Sequence, residues 1–379
     1  MSLKSIQMLK KIIFVLLATL VMAGGILFYL GDKNNSGERN FLPLLRDKLF
    51  DEPKEPVNVI FCMTTLQMVI AEKIIEKYPN EKFYAVLISL DKNEKYDYYF
   101  QRLKSKAYRA YSFYYDGKDR WRNRNFFPIM LELKLKANLL PKVKSIYLSN
   151  MDSESIACFI NTHPEAEVNT FDDGTKNLIE NTSFTRDDVF YMKNKNQRRF
   201  FNIINDGLTI TKVREKSQKH YTIFKELHNV MDNGKRKMVY LPLFNASKLK
   251  SNIIKKDTIK ILLGTPEEEM KAISEKAVKH YGIKYTSRHP RQKYKLDGVE
   301  TLESKLIIED YILKEIEKNP NTQYEIYTFF SGAAITMKDF PNLNVYAIKP
   351  TSLPKDYFLN PVQKLYQQVG IQILEFKDK

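Results

Sequence analysis

The amino-acid sequence predicts an α/β protein of two halves, each a parallel sheet covered by helices. Three observations carry this. Apolar runs of strand length alternate with segments of helical period in two regions of the chain. Between those regions, from about 181 to 240, the alternation fades and the chain turns basic. The length of 379 residues, at about 100–200 per domain, accommodates two halves, and 43% hydrophobic residues supply their cores. Alternating strands and helices imply parallel strands with helical crossovers.

The elements follow in order. Ile12–Leu30 is a run of 19 residues without a charge, behind Lys4, Lys10 and Lys11. A helical span needs roughly 20 apolar residues, and a cleaved signal has a shorter apolar core. The run continues past Ala23-Gly-Gly to Leu30, so it reads as an uncleaved single-pass anchor. Residues 1–11 would lie in the cytoplasm and the bulk of the chain beyond the membrane. Residues 31–55 read as a tether, with Asp32–Asn40 polar.

The first half, 56–180, opens with a strand at Pro56–Phe61. A helix at Leu66–Tyr78 and a strand at Phe83–Leu90 follow. Val143–Leu148 is a strand, Glu154–Thr162 a helix and Ala166–Phe171 a strand. Residues 181–245 read as a basic connector: Lys193–Lys237 holds 12 Lys/Arg against 4 Asp/Glu.

The second half, 246–379, resumes with a strand at Thr258–Leu263 ending in Gly264. Thr265-Pro266-Glu267-Glu268 has an N-cap residue, Pro in first position and Glu at N3, the start of a helix to about Tyr281. A short strand at Lys284–Thr286, a helix at Ile307–Lys318 and strands at Tyr324–Phe329 and Val345–Ile348 follow, with a short helix at Ala333–Lys338.

The net charge of +16 favours anionic partners such as nucleic acid, a membrane surface or phosphorylated substrates. Cys62 and Cys158 sit in apolar sequence and read as core, which excludes a disulfide scaffold and a cysteine zinc site. None of the five His has metal-site spacing, and there is no Asp-x-Asp to hold a nucleotide-bound metal. No phosphate loop of the G-x-x-x-x-G-K-S/T type occurs, and no G-x-G-x-x-G follows a strand.

Open parallel sheets bind ligands beyond the carboxyl ends of their strands, which directs attention to the loops after Phe171, Leu263 and Phe329. Asp172-Asp173-Gly174 offers paired carboxylates for base work or hydroxyl binding, and equally an Asp-Gly turn. Glu267 sits in a first helical turn, where an acid also suits the helix dipole. His289-Pro290 between Arg288 and Arg291 suits proton donation to a phosphate. Ser331-Gly332 offers small residues and a hydroxyl to a phosphate, or a plain turn. His163 reads as a turn residue, and His220, His228 and His280 read as surface residues.

Seven stretches together carry a resemblance: 95–100 (Lys-Tyr-Asp-Tyr-Tyr-Phe), 170–175 (Thr-Phe-Asp-Asp-Gly-Thr), 220–225 (His-Tyr-Thr-Ile-Phe-Lys), 240–244 (Tyr-Leu-Pro-Leu-Phe), 289–292 (His-Pro-Arg-Gln), 308–313 (Ile-Glu-Asp-Tyr-Ile-Leu) and 324–334 (Tyr-Glu-Ile-Tyr-Thr-Phe-Phe-Ser-Gly-Ala-Ala). Over nearly its whole length the chain resembles the bacterial lipooligosaccharide α-2,3-sialyltransferases of glycosyltransferase family 52. The resemblance implies a GT-B-like fold of two Rossmann-type domains and a donor, CMP-N-acetylneuraminate, used without metal or cofactor. It also implies an acceptor, the 3-hydroxyl of a terminal galactose of lipooligosaccharide, and inversion at the sialyl centre. Glu267 becomes the general base, His289 the general acid, Ser331 a phosphate contact and Glu309 the holder of the ribose. Arg288, Pro290 and Gly332 join the donor site.

The family has Asp where this chain has Glu267. Related marine-type sialyltransferases take their base from Asp-Asp-Gly, which keeps Asp173 as the rival. Asp172, Asp173 and Gly174 otherwise fall to the acceptor. The resemblance further implies a homodimer that exchanges parts, with 181–245 as the exchange region, and a place in a Gram-negative envelope membrane without a nucleic-acid partner. A same-family hexosyltransferase with a UDP-sugar donor stays open. So does a non-catalytic tethered protein that binds anionic polymer through Lys193–Lys237.

Overall fold

A computed structural model of the chain describes residues 41–115, 126–185, 194–244, 257–352 and 359–378. The expected anchor Ile12–Leu30 and residues 31–40 of the tether lie outside these residues. Among the described residues no helix is long and apolar enough to cross a membrane.

After helix α1 (Phe41–Phe50), seven parallel strands form the first sheet. They are β1 (Val57–Cys62), β2 (Phe83–Ser89), β3 (Arg109–Tyr114), β4 (Val143–Leu148), β5 (Glu167–Phe171), β6 (Ser217–Thr222) and β7 (Lys237–Tyr240), in the order 3-2-1-4-5-6-7. Every residue of β1 and β2 is buried, as continuous apolar runs in a parallel sheet require. The helices of this lobe are α2 (Thr65–Lys77), α3 (Glu94–Lys106), α4 (Phe126–Leu139), α5 (Glu154–Thr162), α6 (Lys195–Ile204) and α7 (Ile210–Lys216). Their first turns are capped in several cases by a polar side chain. Thr64 accepts from Gln67 N, Asn93 from Lys95 N and Tyr96 N, and Ser153 from Ile156 N.

The second sheet holds six parallel strands in the order 10-9-8-11-12-13. They are β8 (Asp257–Leu263), β9 (Tyr285–Ser287), β10 (Glu300–Thr301), β11 (Thr322–Thr328), β12 (Leu343–Pro350) and β13 (Gln372–Phe376). Helices α8 (Met270–Tyr281), α9 (Ile308–Lys318), α10 (Ala333–Met337) and α11 (Leu359–Gln368) complete it. Both sheets are therefore doubly wound, and each reverses its strand order beside its first strand, at β1/β4 and at β8/β11. One apolar cluster runs from Ile60, Phe171 and Leu178 of the first lobe to Ala334, Ile335 and Tyr366 of the second.

Three expectations need correction. The stretch read as a connector supplies β6 and β7 to the first sheet, with α6 and α7 before them. The helix expected from Thr265 starts at Met270, and its N-cap position makes no side-chain hydrogen bond. Thr265 instead meets the Tyr294 hydroxyl at 2.9 Å, which holds this segment off the helical path. His220 is wholly buried, in contrast to exposed His228. Cys62 and Cys158 are buried free thiols, as their apolar sequence implies.

Candidate active site

The carboxyl end of β8 is shaped by one close approach. A Cβ added at Gly264 would overlap Gln292 Oε1 and lie 3.3 Å from His289 N, so glycine lets this loop meet the His-Pro turn without displacing the Gln292 side chain. The turn is closed by Gln292 N donating to His289 O at 2.9 Å. The Arg291 amide donates to His289 Nδ1 at 3.1 Å. A neutral ring that accepts at Nδ1 carries its proton on Nε2, which leaves that N–H to meet an anion. Burial, then the charges of Arg291 and Lys95, push the imidazole down to about 4. Arg288 donates to Gln292 O at 2.9 Å, while its buried Nε has no partner among the described residues.

Glu267 lies between β8 and α8, with its carbonyl accepting from Met270 N. Its Oε2 is shielded from solvent and has no hydrogen-bond partner among the described residues. Glu309, in the first turn of α9, is buried and accepts from the Thr336 hydroxyl at 3.1 Å. Burial raises its carboxyl to about 7, against the pull of its own amide, Thr336 and Lys95. The Ser331 amide donates to Thr328 Oγ1 at 3.0 Å, and the Tyr366 hydroxyl donates to Ser331 O at 2.9 Å.

In the first lobe the Asp-Asp pair divides. Asp172 has no exposed surface and accepts from His220 Nε2, the Thr222 hydroxyl, Ile223 N and Asn229 Nδ2, at 2.7–2.9 Å. All its acceptor positions are taken, so the reading of Asp172 as a hydroxyl-binding or base residue fails and it is a structural hub. Asp173 is the partly exposed member. Its Oδ1 accepts from Gln67 Nε2 at 2.5 Å, and the same amide donates to Asn150 Oδ1 at 2.7 Å. Burial, with Asp152 nearby, raises the Asp173 carboxyl, and Lys176, Gln67 and Asn150 partly offset this. Gly174 has φ 141°, a conformation that favours glycine.

The two lobes meet at these loops. A Cβ at Gly332 would lie 3.1 Å from the Thr175 methyl, so the Ser-Gly and Asp-Asp-Gly loops abut. Further along, α3 docks on the start of α9. Tyr99 and Arg102 both donate to Asp310 Oδ2, at 2.5 and 2.9 Å, and Arg102 also pairs with buried Glu72 at 2.7 Å. A cavity of about 490 Å³ opens beside this contact, lined by Asn93 and Lys95 of the first lobe and Arg288, His289, Pro290 and Glu303 of the second. Arg288, His289 and Pro290 are thus gathered in one cavity. Glu267, Glu309, Asp173 and Ser331 do not line it, although Lys95 acts electrostatically on Glu309.

In the sequence, Lys95, Tyr99 and Asp310 stand only as members of motifs, and Arg102 lies outside all of them. The available signals were the Asn93 cap and the 95–99–102 spacing along one helix face. His220 was missed because its partner is 48 residues away in sequence. Among the described residues no group of three or more His, Cys, Asp or Glu could hold a metal ion.

The model of glycosyltransferase family 52 matches residues 80–352. An N-acetyllactosaminide α-2,3-sialyltransferase of Neisseria meningitidis is 55% identical, over 98% of this chain and 99% of its own length. The CMP-N-acetylneuraminate:β-galactoside α-2,3-sialyltransferase of Pasteurella multocida is 31% identical, over 85% of this chain and all of its own. A Haemophilus influenzae N-acetyllactosaminide α-2,3-sialyltransferase is also 31% identical, over 80% of this chain and 95% of its own.

Proposed function

The chain belongs to glycosyltransferase family 52, and on that premise we propose that it transfers N-acetylneuraminate from CMP-N-acetylneuraminate to a β-galactoside. It is an α-2,3-sialyltransferase. The observation that carries this is the near-full-length identity to the Neisseria meningitidis relative. The setting of His289, in a cavity with Arg288 and Lys95, supports the anionic leaving group.

The acceptor 3-hydroxyl attacks the sialyl anomeric carbon from the face opposite CMP. The bond from that carbon to the phosphate oxygen breaks, and the configuration inverts. CMP leaves readily, so the protein has chiefly to orient the acceptor, remove its proton and neutralise the phosphate. Glu267 takes the proton of the hydroxyl; its unpartnered Oε2 supports this role. His289 gives a proton to the departing phosphate oxygen. Ser331 and Gly332 contact that phosphate and Glu309 holds the ribose. Asp173, with Gly174 shaping its loop, faces the acceptor. No metal or cofactor is assigned a step.

The enzyme works as a homodimer tethered to an envelope membrane through Ile12–Leu30, and its acceptor is the galactose end of lipooligosaccharide. The net positive charge favours a lipid acceptor whose core carries anionic groups. A donor screen tests the reading: CMP-N-acetylneuraminate, UDP-galactose and UDP-glucose, each with lactose. Turnover is expected with the CMP-sugar alone. Turnover with a UDP-sugar instead would replace the reading with a hexosyltransferase.

A further inference from the structure

We propose that Lys95 is a phosphate-binding residue that the first lobe contributes to the nucleotide site of the second. This rests on the donor reading above.

Lys95 lies in the first turn of α3, and Tyr99 and Arg102 follow it at spacings of four and seven on the same helix face. That face is pinned to the second lobe. Tyr99 donates to Asp310 and accepts from Ile307 N at 3.1 Å, and Arg102 bridges Asp310 and Glu72. The helix is therefore not free to swing, and Lys95 is delivered across the cleft into the cavity that also holds Arg288 and His289. Among the described residues the ammonium makes no hydrogen bond and no ion pair within 4.0 Å. Burial pushes its pKa down, with Glu309 and Glu303 opposing.

A partly buried cation with no fixed partner, in a cavity of about 490 Å³ shared with an arginine and a histidine, is a site lacking its anion. Lys95 acts electrostatically on both His289, the proposed proton donor, and Glu309, the proposed ribose holder. The group between the ribose and the leaving oxygen of the donor is the phosphate.

The test is calorimetric titration of the full chain, in detergent, with CMP and with cytidine. Lys95→Gln is expected to weaken CMP by about 10- to 100-fold, the range of a lost charge-assisted hydrogen bond. Cytidine, which has no phosphate, should bind within about twofold of wild type. Lys95→Arg keeps the charge and should lose less than Lys95→Gln, with the melting temperature of both variants unchanged. CMP binding unaffected by Lys95→Gln, or cytidine weakened as much as CMP, would overturn the proposal. A wild-type chain that binds neither ligand would overturn the donor reading itself, and Lys95's role with it.

Discussion

If His289 delivers the proton to the leaving phosphate, the donor must change its charge state. In the unliganded protein the ring is held down to about 4, by burial and then by Arg291 and Lys95. At pH 7 this leaves roughly one molecule in a thousand as imidazolium. A bound phosphate reverses the balance, because it pairs with those cations and accepts from the ring. Raising the pKa to about 7 requires about three units, or about 4 kcal/mol in favour of the charged ring. One charge-assisted hydrogen bond contributes about 1.5–3 kcal/mol, so cancellation of the two neighbouring positive charges must supply the remainder. The assay is a pH titration of the His ring resonances by NMR, free and with saturating CMP. His289→Asn identifies the signal among the five histidines. The expected pKa is near 4 in the free protein and near 7 with CMP, and cytidine should leave it near 4. His289→Ala should lower kcat by about 10²–10⁴. A ring still titrating near 4 with CMP bound, or a variant within a fewfold of wild type, would refute the general-acid role.

Three further outcomes follow from the same geometry. Glu267→Gln should depress kcat far more than it raises donor KM, and Glu267→Asp should keep substantial activity. Asp173→Asn should first raise acceptor KM, and steady-state kinetics giving the reverse pattern would make Asp173 the base. Because folding raises the Glu309 pKa from 4.5 to about 7, its contribution to stability is present below pH 4.5 and is lost as the pH rises through 7. Melting curves should show part of that decline disappear in Glu309→Gln. Asp172→Ala strands four buried donors and should cost about 3–5 kcal/mol in urea denaturation; a cost under about 1 kcal/mol would contradict its role as hub.

The strands that were legible in the sequence are those buried on both faces, such as β1 and β2, because their runs are continuously apolar. β6 was hidden by its composition, Ser-Gln-Lys-His-Tyr-Thr, whose buried polar members Ser217, His220 and Thr222 are satisfied inside the fold. Thr170 pairs with Ser217 and His220 there, and His220 in turn meets Asp172. β7 is an edge strand with mostly exposed or half-exposed residues and has no apolar signature. The helix-start signals at Thr265 were sound as local chemistry and lost to a tertiary competitor, the Tyr294 hydroxyl. The His-Pro turn could be read because Arg288, His289 and Arg291 are neighbours in the chain. The fate of the Asp-Asp pair could not, since the donors that occupy Asp172 come from β6 and the loop after it. Lys95 entered the cavity through a lobe contact that no local pattern specifies.

The most direct test of the central claim is the stereochemistry of the first-formed product. The full chain is given CMP-N-acetylneuraminate and a terminal β-galactoside, and the reaction is followed by proton NMR from its first minutes. Direct attack by the acceptor hydroxyl predicts a single product, N-acetylneuraminate joined in α configuration to the galactose 3-oxygen, with CMP released in equal amount. A product with retained configuration, a linkage to another galactose oxygen, or CMP release without sialoside would contradict it.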